Sequence, residues 1–151
     1  MATAWFQTHG LPRPGAIGIY SAGATQNGGD AAFTAAPIGE AMPPPGPPGQ
    51  EPRRGRSGYL SGADRHDPPV SAASSDEVLS RFPPSQIITG TRHFDLSAAV
   101  YTHTRLVKLG VPADLHVWEG LFHFFFLNPD VPESRDAYDV MVKFFDEHLG
   151  Q

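Results

Sequence analysis

Two short apolar runs, "QIITG" (86–90) and "DLHVWE" (114–119), flank the stretch "LSAAVYTHTRLVKLG" (96–110), whose period is different. Ala99, His103 and Leu106, with Val100 and Val107, recur there at helical spacing. Ser97 is placed to cap the start of that helix, and Gly110 stands where a left-handed residue ends one. The closing segment "PESRDAYDVMVKFFDEHLG" repeats the device, with Pro132 near the first turn and Gly150 after the last. Its stripe is Ala137, Val140, Met141 and Phe144. Strand, helix, strand, helix is the pattern of a parallel sheet with crossover helices, because parallel neighbours cannot be joined by a tight turn. "AIGIYS" (16–21) supplies a third strand of the same buried kind.

The interval between the first strand and the second is different in character. Residues 37–84 hold most of the proline, including "MPPPGPPGQEP", and neither a helical nor a strand period survives there. Residues 43–57 are expected to be a Pro/Gly-rich loop within a single domain spanning 1–151. "DEVLSRFPP" (76–84) predicts one short helix that starts near Asp76 and ends by Pro83. About three parallel strands are visible, and only a helix tail, "TAWFQTHG", precedes the first. Such a count suits part of an α/β sheet rather than a whole one.

Several functions are excluded or disfavoured by composition. There are no cysteines, so thiolate catalysis, disulfides and thiolate metal sites are ruled out. The formal charge is −5, and basic residues cluster only in "RRGR" (53–56), which argues against nucleic acid. No run approaches the roughly 18 apolar residues of a membrane span. "MATAWFQTHG" lacks the features of a signal peptide, so a cytoplasmic location is expected.

In open α/β sheets, functional groups collect at the carboxyl ends of the strands. After "QIITG" come His93 and Asp95, and after "DLHVWE" come Glu119 and His123. A carboxylate and an imidazole on adjacent strand ends are what a proton relay requires: the acid fixes the imidazole's tautomer, and the imidazole takes a proton from a nucleophile. Asp64, His66 and Asp67 in "ADRHD" read as solvated surface rather than a cation site. His103 and His116 read as a helix-face and a strand-edge residue. Trp118 and Phe122 to Phe126 suit core packing at least as well as an acyl pocket, and Glu119 is expected to brace its loop through backbone amides.

Residues 11–21, 58–72, 82–92 and 110–149 resemble the C-terminal half of the bacterial hormone-sensitive-lipase-like esterases of the α/β-hydrolase superfamily. The stretches that carry the likeness are "LPRPGAIGIYS", "GYLSGADRHDPPVS", "FPPSQIITGTR" and "GVPADLHVWEGLFHFFF" with the closing helix. "HVWEGLFHFFF" is similar to the family's catalytic-histidine loop, which makes His123 the triad base by resemblance. The implied fold is a partial α/β-hydrolase with its nucleophile half missing. The implied reaction is hydrolysis of short-chain carboxylic esters, with no cofactor and no metal.

Two departures bear on activity. The family's nucleophile motif G-D-S-A-G and its oxyanion segment H-G-G-G do not occur in this sequence. Ser21 in "GIYSAG" is a decoy, because Ile19 stands where a nucleophile elbow needs glycine. His93 occupies the place the family gives to its acid, directly after "GTR", and Asp95 two residues on is the candidate replacement. Little turnover is therefore expected from this chain alone. The competing expectation is an inactive fragment or pseudoenzyme, homodimerising through the sheet edge that missing strands would cover.

Overall fold

The structure, a computed structural model, describes residues 1–25, 29–39, 62–64 and 66–150. The proline-rich loop expected at 43–57 lies outside them. Three strands form a single parallel sheet in the order β1-β2-β3. They are β1 (Ile17–Tyr20), β2 (Ser85–Gly90) and β3 (Ala113–Trp118). Ile17 pairs with Ser85 and Tyr20 with Ile88, while Ser85 pairs with Ala113 and Gly90 with Trp118. β2 and β3 therefore end at one level and β1 two residues short of it, and the loops that follow share one rim.

The helices divide between the two faces. On one lie α1 (Ala2–Thr8), α4 (Asp76–Leu79) and α5 (Leu96–Lys108), whose Ala4, Leu79, Ala99 and Leu106 pack with Ile19 and Ile87. On the other, α6 (Glu133–Leu149) brings Ala137 and Met141 onto Ile88, Phe125 and Phe126. The short helices α2 (Ala31–Thr34) and α3 (Ala36–Gly39) follow β1. Every residue of the central strand β2 is buried, as a strand covered on both faces must be. Both polar atoms of its one large polar side chain are engaged: Gln86 Nε2 donates to Val140 O at 3.0 Å, and Gln86 Oε1 accepts from the Tyr20 hydroxyl at 3.2 Å.

The strands differ from their predicted bounds by one residue, at both ends of β1 and β3 and at the start of β2. Three details depart further. β1 is buried on one face only, with Gly18 exposed, because it lies at an edge of the described sheet. Val100 and Val107, predicted to join the core stripe of α5, are exposed, and the buried positions are Ala98, Ala99, Thr102 and Leu106. Ser97 does not cap α5. Asp95 holds the N-cap position, and Ser97 Oγ instead accepts from the backbone N–H of Ala31 at 2.9 Å, fastening the start of α2. Gly110 does take the left-handed conformation, at φ 77°.

Candidate active site

The site is assembled where the loops after the three strands meet. Gly90 ends β2, and a Cβ there would lie 2.1 Å from Leu121 O, so only glycine lets the loop after β3 come this close. The two loops are then laced together. Thr91 N–H donates to Trp118 O at 2.9 Å, Arg92 N–H donates to Leu121 O at 3.0 Å, and Gly120 N–H donates to Thr91 Oγ1 at 2.7 Å. Glu119, predicted to brace this loop, is exposed, and the brace comes from Thr91.

The third loop joins through Ser21. Its side chain is buried, and its Oγ accepts the backbone N–H of Phe124 at 2.9 Å. Both residues are left-handed, at φ 48° for Ser21 and 52° for Phe124. The hydroxyl is thus engaged as an acceptor in holding the histidine loop.

His123, between these two fastenings, is half-buried at the rim. Its Nδ1 meets Nε2 of His93, a ring that is wholly buried. The ring centroids are 4.6 Å apart and the planes differ by only 10°. With facing nitrogens in direct contact, that combination means two imidazoles end to end and nearly coplanar, the arrangement a hydrogen bond requires. Phe94 and Phe124 flank the His123 ring at 5.0 Å and 4.1 Å. On its far side, His93 Nδ1 accepts from the backbone N–H of Asp95 at 3.3 Å, with Thr89 Oγ1 also at 3.3 Å.

The structure thus brings together the two loops that the sequence proposed. It also puts His93 at the nitrogen of His123 where a triad acid would bind. Asp95 follows at the start of α5, and its backbone N–H supports His93. Thr89, Thr91 and Ser21 went unnoticed as supporting residues. The hydroxyls in "TGT" at a strand end were the available signal for the first two.

The remaining candidates fall outside this cluster. Asp64 Oδ1 accepts the backbone N–H of His66 at 2.9 Å, and Asp64, His66 and Asp67 are all exposed. Among the described residues, no group of three or more His, Cys, Asp or Glu side chains is arranged to hold a metal ion. His103 Nε2 lies 3.2 Å from Ala113 O, tying α5 to β3. Phe125 and Phe126 are core residues, with the Trp118 ring 5.5 Å from Phe125, whereas Phe122 and Phe124 remain partly exposed. A shallow hollow on α6, lined by Asp139, Val142, Lys143, Asp146 and Glu147, contains none of the candidate residues.

A family model described as the alpha/beta hydrolase fold matches residues 2–127. The chain belongs to that family. Three solved structures show the same architecture. Esterase E25 is 29% identical, with a TM-score of 0.73 over 96% of this chain and 43% of its own. An esterase from the bacterial hormone-sensitive lipase family is 24% identical, with a TM-score of 0.80 over 99% of this chain and 48% of its own. EstE5 soaked with p-nitrophenyl butyrate is 23% identical, with a TM-score of 0.79 over 97% and 48% respectively. The α/β-hydrolase chain thus spans about half the length of these relatives, as a partial fold of three strands should. No curated protein matches it. Among the described residues, no helix of this hydrolase-fold chain is long and apolar enough to cross a membrane.

Proposed function

We propose that this chain is the histidine-bearing portion of a carboxylic ester hydrolase. A serine hydroxyl attacks an acyl ester, the imidazole of His123 passes the proton, and water releases the acid. The observation that carries this reading is the engagement of His123 Nδ1 by a side chain from the neighbouring strand's loop. That is the nitrogen a triad partner occupies, and it assigns Nε2 to the nucleophile. The family match and the esterases among the structural relatives support the same substrate class. The sequence supplies no nucleophile motif, so in this reading the attacking hydroxyl comes from outside these 151 residues. Asp95 is the carboxylate nearest in sequence to His93, and it is proposed as the acid only where it displaces His93 from His123 Nδ1.

The test is turnover of a short-chain nitrophenyl ester by the chain and by its His123→Ala variant. Rates at background for both are expected from this chain alone. Adding the nucleophile-bearing half of a structural relative, as a separate polypeptide, is expected to raise the rate only when His123 is intact. A gain that ignores His123→Ala would remove the imidazole from the reaction.

A further inference from the structure

One hydrogen bond to His93, from a group that can only donate, indicates where its proton resides. The backbone N–H of Asp95 points to His93 Nδ1 at 3.3 Å. A backbone amide nitrogen only donates, so Nδ1 of His93 must carry its lone pair. Thr89 Oγ1, also 3.3 Å away, has a rotatable proton and donates to the same lone pair. A neutral imidazole has one N–H, and in His93 it is therefore Nε2 that holds it. Nε2 is the atom in contact with His123 Nδ1, so His93 donates and His123 accepts. With Nδ1 accepting, the neutral His123 ring carries its own proton on Nε2.

We infer that His93 is a positioning residue that fixes His123 as the Nε2–H tautomer, so that the imidazole meets a nucleophile with a proton instead of a lone pair. A carboxylate at position 93 does the opposite. It has no proton to give at neutral pH, so it accepts the Nδ1–H of the base and puts the lone pair on Nε2. Replacing a carboxylate by histidine here keeps the contact but reverses its direction.

The reversal is locked in by the surroundings. His93 is wholly buried, and Phe94 lies 4.5 Å from its ring. Turning the ring over would set a carbon against the Asp95 N–H and lose that hydrogen bond. The consequence for turnover rests on the ester-hydrolase reading. In serine proteases an imidazole held in the wrong tautomer costs about 10⁴ in turnover although the geometry is kept. The tautomer itself does not depend on that reading.

The experiment is imidazole nitrogen–proton correlation NMR on the uniformly ¹⁵N-labelled chain at a pH above the imidazole titration, with His123→Gln used to assign signals. His123 is expected to show a pyridine-like Nδ1 and a pyrrole-like Nε2, and His93 the same pattern. A pyrrole-like Nδ1 on His123 overturns the inference. His93→Asp is expected to move the His123 proton from Nε2 to Nδ1, and a proton that stays on Nε2 in the folded variant also overturns it. Should the variant at this buried position fail to fold, the wild-type spectrum alone decides. No ester is present in this measurement, so absence of turnover leaves the tautomer standing. Conversely, a contrary spectrum leaves the ester-hydrolase reading open.

Discussion

Ser21 and Phe124 lie 103 positions apart in the chain, yet both are left-handed and the Phe124 amide donates to Ser21 Oγ at 2.9 Å. Side chains in that region normally cost roughly 1–2 kcal/mol. Ser21→Ala removes the acceptor and retains the backbone cost, and a destabilisation of about 1–3 kcal/mol is expected from the stranded amide. Ser21→Gly loses the same hydrogen bond but relieves the backbone. It should therefore be the more stable of the two, inverting the usual order of alanine over glycine. Urea unfolding of both variants checks the order. An alanine variant at least as stable as the glycine one would mean that the left-handed turn is not strained.

Gly90 makes the second fastening possible. Gly90→Ala places a methyl group 2.1 Å from the Leu121 carbonyl oxygen, a distance that forces backbone to move. Overpacking of this kind costs about 1–3 kcal/mol. The loop that yields carries His123, so the imidazole contact with His93 is expected to be lost with it. Gly110→Ala is the control: it meets a left-handed demand that Gly90 does not have, at φ 77°, but has open space around its Cβ. It should cost about 1 kcal/mol and leave the imidazole signals unchanged. Unfolding midpoints and NMR spectra of the two variants separate steric from conformational cost.

Much of this was legible in the sequence because the periods were clean. "QIITG" and "DLHVWE" gave their strands nearly to the residue, and Gly110 and Gly150 gave the ends of α5 and α6. The site was legible as a pair of loops, since strand ends in a parallel sheet must gather on one rim. Its wiring was not. The outward turn of Val100 and Val107 follows from Ala98, Ala99 and Thr102 facing the sheet, and helical spacing alone fits two adjacent faces equally well. Ser97 satisfies the rule for a cap, but its hydroxyl found the Ala31 amide, a partner 66 residues away that no local pattern specifies. The partnership of His93 with His123 was obscured for a chemical reason. A relay was sought in a carboxylate, and an imidazole at the acid's place counts as a vacancy until its own hydrogen bonds assign it a direction.

Thr102 tests how far a buried hydroxyl stabilises the same face. Its Oγ1 accepts the Ala24 amide at 2.7 Å and donates to Ala98 O at 2.7 Å, joining the segment after β1 to α5. Thr102→Val keeps the shape and strands the Ala24 N–H in the core. A loss of about 1–3 kcal/mol is expected, against a smaller loss for Thr102→Ser, which keeps the hydroxyl. If valine proves as stable as serine, the segment after β1 is held by packing and not by this bond.

Tyr20 provides a prediction in pH. Its ring lies over Gly18, where a Cβ would come within 2.4 Å of it, and meets Phe126 edge-on at 6.0 Å. Burial pushes the phenol above its ordinary value of 10.0, because the phenolate would forfeit hydration there. In the unfolded chain the same group ionises at its ordinary value. The folded state therefore binds this proton more tightly, and the associated stability is complete below pH 10 and is lost as pH rises through the folded value. Tyr20→Phe removes this dependence while also removing the donor to Gln86 Oε1. Unfolding free energies measured on either side of pH 10 should fall more steeply for the wild type than for the variant. A difference titration of phenolate absorbance should place the Tyr20 transition above that of a free tyrosine. Parallel slopes and an unshifted difference titration would show that the ring is hydrated at the sheet edge and not covered by Phe126.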